Sequence, residues 1–174
     1  MPTQSEPSSN EAGNLAKAHV VYQKLLAEQQ SAILATVNAD GSPWASYAPF
    51  VADADQTFYV FVSTLSRHTA NLARTGQASL MVIADELQSP QVFARQRLTF
   101  SCQVTTIARN SEAWQTAAAL YEARFGDFFK LIGGFNDFQM FGLTPQQGWL
   151  VVGFGQAYEI SGSALDVLTH QRQP

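Results

Sequence analysis

Residues 31–63 read SAILATVNADGSPWASYAPFVADADQTFYVFVS. Three runs rich in β-branched and aromatic residues are separated by Asp40-Gly41 and by the segment ADADQ at 52–56. Asp-Gly between such runs is a strong hairpin signal, because glycine supplies the positive φ that a tight turn needs. Pro49 lies inside the second run and has no N–H for a ladder, so that strand is expected at a sheet edge or bulged there.

Upstream, Leu15, Ala18, Val21, Tyr22, Leu25 and Leu26 recur at helical spacing between Asn14 and Gln30, which predicts an amphipathic helix. Residues 1–13 are rich in Ser, Pro, Gln and Glu, and are expected to be disordered; residues 14–174 are expected to form a single domain. Downstream, Ser66 and Gly76 bracket a short helix that should turn Leu72 and Ala73 inward. Apolar and alternating strands follow at 77–84 and 97–109, and Ser111 caps a helix ending at Gly126 in which Trp114, Ala118 and Leu120 or Tyr121 share a face. Segment 137–161 reads as two strands around a Pro-containing turn, and 163–170 as a short tail helix with Ser163 and Asp166 as a capping box. Strands at this spacing with tight turns predict a mainly β fold, an antiparallel barrel with flanking helices at its openings.

Charged residues make up only 14% of the chain against 46% hydrophobic, with twelve Phe to bury. So low a charge for a soluble chain predicts a surface partly covered by a partner subunit, although a monomer rich in Gln, Ser and Thr reads the same way. A net charge of −4 provides no field to attract nucleic acid. The lone Cys102 excludes a disulfide framework and reads as a buried structural thiol. No apolar run approaches a membrane span and the N-terminus does not read as a secretory signal, so a soluble cytoplasmic protein is expected.

No nucleophile elbow, P-loop, dinucleotide fingerprint, HExxH or CxxC motif is present. Gly153-Phe154-Gly155 reads as a bulge or a close packing point, not a phosphate loop. His19, His68 and His170 are widely separated and lack ligand partners at metal-site spacing. The segment FYVFVSTLSRHTANL (58–72) is the most suggestive: a strong strand runs directly into a helix N-terminus, where free N–H groups and the dipole favour anions. The hydroxyls of Ser63, Thr64, Ser66 and Thr69 with the Arg67 guanidinium would complete a phosphate or carboxylate pocket, and a helix cap with a surface arginine reads equally well.

Residues 33–51 and 58–86, together with SRHTANL, resemble the split-barrel flavoproteins typified by pyridoxamine-phosphate oxidase, an FMN-binding split β-barrel. That resemblance implies a homodimer enclosing its cofactor at the interface, with the FMN phosphate held by the segment equivalent to 63–71. Arg67 matches the basic position of the pattern and Asn71 its asparagine. SYAPFV, SRHTANL, FARQRLTF, ARFGD, DFQMFGLTPQQG and GFGQAYEISG are more closely similar to the haem-utilisation branch of the fold, the HugZ/HutZ type, over residues 30 to 170.

Membership of that branch implies haem bound between two protomers and, when catalytic, a ring-opening oxygenase fed by an external electron donor. Asp137 matches the acidic partner of the axial ligand. In relatives, an axial histidine follows glycine a few residues beyond the position of His170. This sequence continues Gln171-Arg172-Gln173-Pro174, which leaves His170 as the tail candidate for the haem iron, with His68 or a partner-supplied group as alternatives. Ser63, Ser66, Arg67, His68 and Asn71 remain candidate cofactor-binding residues. The other readings are an FMN-dependent oxidoreductase and a non-catalytic haem carrier.

Overall fold

The computed structural model describes residues 9–162 and 165–171. The three runs of 31–63 become β1 (Ser31–Val37), β2 (Pro43–Ala52) and β3 (Phe58–Ser63). Between β1 and β2, Gly41 sits at φ 84° and the Asn38 N–H donates to the Ser42 carbonyl across 2.8 Å. Asp40 Oδ1 accepts from the Ser42 N–H and hydroxyl, at 2.9 and 2.6 Å. Those bonds, more than the charge of Arg67, hold the Asp40 carboxyl below its ordinary range. Pro49 neither marks an edge nor carries a bulge. β2 pairs with β1 through residues 43–49 and with β3 through 50–52, so the missing N–H falls where the strand passes from one neighbour to the other.

β4 (Gln77–Ile83), β5 (Arg97–Ile107) and β6 (Phe138–Gly153) continue the sheet in the order β3-β2-β1-β4-β5-β6, antiparallel throughout. Residues 138–143 of β6 return to pair with β3, closing a six-stranded barrel. Residues 148–153 pair instead with β7 (Gln156–Ser161), which carries β8 (Val167–Gln171). The sixteen residues of β6 run through without the expected Pro-containing turn. Its register slips so that Cys102 faces Pro145 while Ser101 faces Gln147, a bulge where proline gives up no ladder bond. The chain reverses at Phe154-Gly155, with Gly155 at φ 64°.

The described tail also departs from expectation. Residues 167–171 form a strand, not a helix, because the open edge of β7 offers five partner positions and Leu168 drops into the core. Ser163 lies outside the described residues. The first helix, α1 (Ser9–Glu28), begins before Asn14; it takes in residues 9–13, where Glu11 and Ala12 favour helix. Residues 1–8 lie outside the described structure. α2 (Arg67–Thr75) ends as expected on left-handed Gly76, but it buries His68, Thr69, Asn71 and Leu72 and leaves Ala73 exposed. α3 (Glu112–Phe125) is capped by Ser111, whose hydroxyl accepts from the Trp114 N–H at 3.1 Å, and α4 (Asp127–Gly133) follows it directly.

β3 is buried on both faces, which its unbroken apolar run requires. Phe58, Val60 and Val62 enter the barrel core with Phe100, Leu143 and the α1 residues Ala18, Tyr22 and Leu25. Tyr59 and Phe61 face outward and pack with Ala117, Tyr121, Phe129 and Met140 beneath α3 and α4. The Tyr121 hydroxyl joins these layers: it accepts from the Phe61 N–H at 3.0 Å and lies 3.0 Å from the carbonyls of Pro49 and Tyr59. Burial drives this phenol well above its ordinary pKa, so it remains a donor at any working pH.

Tyr121→Phe removes that hydroxyl and leaves the buried Phe61 N–H without its acceptor, at a cost of about 1–3 kcal/mol. Urea denaturation should show a lowered midpoint with the slope unchanged; an unmoved midpoint contradicts the role given to the hydroxyl.

Candidate functional site

β3 delivers its chain directly to α2, and the turn between them gathers most of the residues singled out from sequence. Ser66 occupies the N-cap position in extended conformation, yet its side chain makes no cap bond. The turn is held by other groups. Thr69 Oγ1 donates to the Ser63 carbonyl at 2.6 Å, and the Ser63 hydroxyl accepts from the Leu65 N–H at 3.2 Å. The same hydroxyl donates to Asp137 Oδ2 at 3.0 Å, while the Asp137 carbonyl accepts from the Thr64 N–H at 2.7 Å. The pairing of Ser63 with Phe138 brings Asp137 here, so residues 74 apart in sequence share one corner.

Asn71 is 5% exposed, and its amide N–H groups go to Thr36 Oγ1 and Asn38 Oδ1, each at 3.0 Å. It therefore pins the start of the β1–β2 turn onto α2. Thr36 and Asn38 were not singled out from sequence; nothing local marks them, because the contact spans more than thirty residues. Arg67 lies 4.7 Å over the Trp44 ring, a cation–π contact on the outer side of the same corner. His68 is 6% exposed, and its Nε2 has no hydrogen-bond partner among the described residues. Burial holds its pKa below the ordinary 6.5.

Ser63, Thr64, Ser66, Arg67, His68, Thr69, Asn71 and Asp137 thus belong to one corner, and His170 does not. It stands on β8 opposite Tyr158, exposed, with ring centroids 5.1 Å apart. Its Nε2 lies 3.2 Å from the Gly155 carbonyl, within hydrogen-bond reach. Asp137 precedes β6 and Gly155 follows it. A strand of sixteen residues separates them, on the order of 50 Å of backbone at the usual rise per residue. Within one chain the two side chains sit at opposite ends of the longest strand.

The outer face of the barrel carries an apolar row. Register places Tyr47, Ile33, Met81, Thr99 and Trp149 side by side across five strands, and Tyr47, Ile33 and Trp149 are 64%, 37% and 41% exposed. A groove of about 510 Å³, lined by Ala35, Val37, Ser79, Ser101 and Gln146 among others, adjoins it. Cys102 is buried beside that groove, and burial pushes its thiol up to about 12, as a structural cysteine requires. Among the described residues no three His, Cys, Asp or Glu side chains gather in a metal-binding group, and no helix is long and apolar enough to cross a membrane.

This barrel and its strand-to-helix corner define a class. The family model for pyridoxamine 5'-phosphate oxidase matches residues 20–152, and the chain belongs to that family, in its HutZ-type branch. It is 42% identical over 143 residues, 82% of this chain and 81% of the relative, to the haem oxygenase HutZ of Vibrio cholerae serotype O1. A solved structure of Vibrio cholerae HutZ, described as a haem storage protein, matches with a TM-score of 0.71 and 39% identity, covering 76% of this chain and 92% of that one. ChuZ of Campylobacter jejuni matches with a TM-score of 0.80 and 28% identity, over 90% of this chain and 63% of that one.

The burial of His68 fixes a pH dependence. A ring held neutral in the fold but free to protonate when unfolded contributes stability fully present above about pH 6.5, and lost as the pH falls below that toward the folded value. His68→Gln should therefore flatten the fall of Tm between about pH 7.5 and pH 5.5. An equal fall in variant and wild type contradicts a neutral buried His68.

Proposed function

We propose that the protein binds haem between two copies of itself and serves haem utilisation, either degrading the ring or carrying it. The observation that carries this reading is the 42% identity, over most of both chains, to HutZ, which is named a haem oxygenase. Haem, when bound and reduced, would supply iron-centred oxygen chemistry, with electrons from an external donor.

The residues present fit such a group. Haem iron would need a nitrogen ligand, and His170 offers an exposed imidazole with one ring nitrogen at the Gly155 carbonyl. An imidazole that would hold the iron needs an acceptor for its second ring nitrogen, which orients the ring and raises its basicity. Gly155 fills that place within the chain; in the haem-bound dimer the reading gives it to Asp137 of the partner subunit. The apolar row through Tyr47, Ile33 and Trp149 is the face on which the second copy would close, its aromatic and uncharged side chains suiting a buried contact. The lone buried thiol suits the cytoplasmic placement expected from the sequence.

One observation weighs against FMN at the same corner. The Asp137 carboxylate sits on the Ser63 hydroxyl, and Asn71 is committed to Thr36 and Asn38, so a phosphate there would meet a like charge and find neither Ser63 nor Asn71 ready to receive it. The FMN reading remains distinguishable by flavin absorbance in the purified protein.

Titration with haemin should give a saturable Soret change, and His170→Ala should weaken binding at least about tenfold. No Soret change at stoichiometric haemin overturns the reading; on addition of ascorbate, decay of the band marks degradation and persistence marks a carrier. The dimer face makes a separate demand. Ile33→Glu together with Tyr47→Glu should convert a dimer to a monomer in sedimentation, and a dimer unaffected by both charges places the interface elsewhere.

A further inference from the structure

Arg109 follows β5 and has no part in the contacts described above. It is exposed, and its guanidinium lies 4.5 Å over the Trp114 ring. Trp114 in turn packs edge-on against Phe61 at 5.6 Å, inside the aromatic cluster under α3 and α4. From this base the guanidinium reaches across to the backbone that leads out of α4. Nη1 donates to the Gly133 carbonyl at 2.7 Å, and Nη2 donates to the Phe135 carbonyl at 2.8 Å with a longer contact to the Phe138 carbonyl at 3.4 Å.

Those three carbonyls bracket Asp137. The segment they hold leaves α4 through Gly133-Gly134, and its own turn bonds run from the Phe135 N–H to Ile132 and, longer, from the Phe138 N–H to Phe135. Among the described residues no ion pair links Arg109 to a carboxylate; its donors go to backbone oxygens. A planar fork with five donors suits this role, since it can bond several carbonyls and stack on an indole at once. Lysine, a point charge on a flexible stem, can do neither together. The segment then meets the barrel through the Asp137 carbonyl on Thr64 and the Asp137 carboxylate on Ser63.

We propose that Arg109 is a positioning residue for Asp137, tying the 133–138 backbone to the Trp114–Phe61 platform so that the carboxylate stays at Ser63, where the partner's axial imidazole would meet it. The last clause rests on the role given to Asp137 under the proposed function. The tie itself does not.

The two parts separate in the full-length protein. Amide exchange at Thr64, whose N–H is bonded to the Asp137 carbonyl, reports the position of the segment without haem. In R109A this amide should exchange about tenfold faster or more, while core strand amides such as Leu80 stay protected. R109K should behave like R109A, because charge without the fork does not restore the tie; it also serves should R109A fold poorly. In the haemin complex, R109A should shift the Soret band in the direction of D137N, and the double variant should match D137N alone, as expected when one residue acts through the other. Unchanged Thr64 exchange in both Arg109 variants overturns the proposal whatever the haem spectrum does, and so does full rescue by lysine. Faster exchange with no spectral effect of D137N supports the tie and overturns the haem role of Asp137. Additive spectral shifts in the double variant overturn the claim that Arg109 acts through Asp137.

Discussion

Everything in the fold depends on β6 serving two neighbours in succession. Its first six residues pair with β3 and close the barrel; its last six pair with β7 and carry the C-terminal hairpin. The bulge at Pro145-Gln146, in the ladder with β5, lies between the two halves. Gly148, just past it, is pressed so closely that an added Cβ would lie 2.7 Å from the Phe100 ring and 2.9 Å from Ile160. The handover of β6 therefore leaves no room for a side chain at that point.

One consequence is chemical. Asp137 stands immediately before β6, fixed to Ser63 and Thr64, and His170 stands beyond its far end, fixed to Gly155. Within one chain the sixteen residues of β6 lie between them. Under the proposed function a site that uses both is assembled from two copies, with the exposed row from Tyr47 to Trp149 as the uncharged face between them. The single-chain corner around α2 is already densely bonded, with Asn71 and Thr69 spent on local structure.

Much of this was legible in the sequence where the signal was local. Asp40-Gly41, Gly76 and Ser111 each name their turn or cap through the conformation or acceptor that position needs, and the structure forms all three. The family and barrel were legible from strings such as SRHTANL and DFQMFGLTPQQG. The tail was misread because Leu165 and Leu168 stand at helical spacing over too few residues to reveal a period; the deciding factor was the free edge of β7, which no window on 163–170 contains. Pro145 was misread as a turn for the opposite reason, since a bulge and a turn make the same local demand on a proline. The clamp on Asp137 was invisible because Arg109, Trp114 and Gly133 meet only once α3 and α4 fold back over β3.

Under the proposed function, Asp137 and His170 work together only across two copies of the chain. Mixing D137N and H170A proteins under conditions where subunits exchange tests it most directly. Each hybrid dimer then carries one site with both native residues and one with neither, so an equal mixture should gain a wild-type component in about a quarter of its sites, which neither parent shows. A mixture whose spectrum is the plain sum of its two parents contradicts the account.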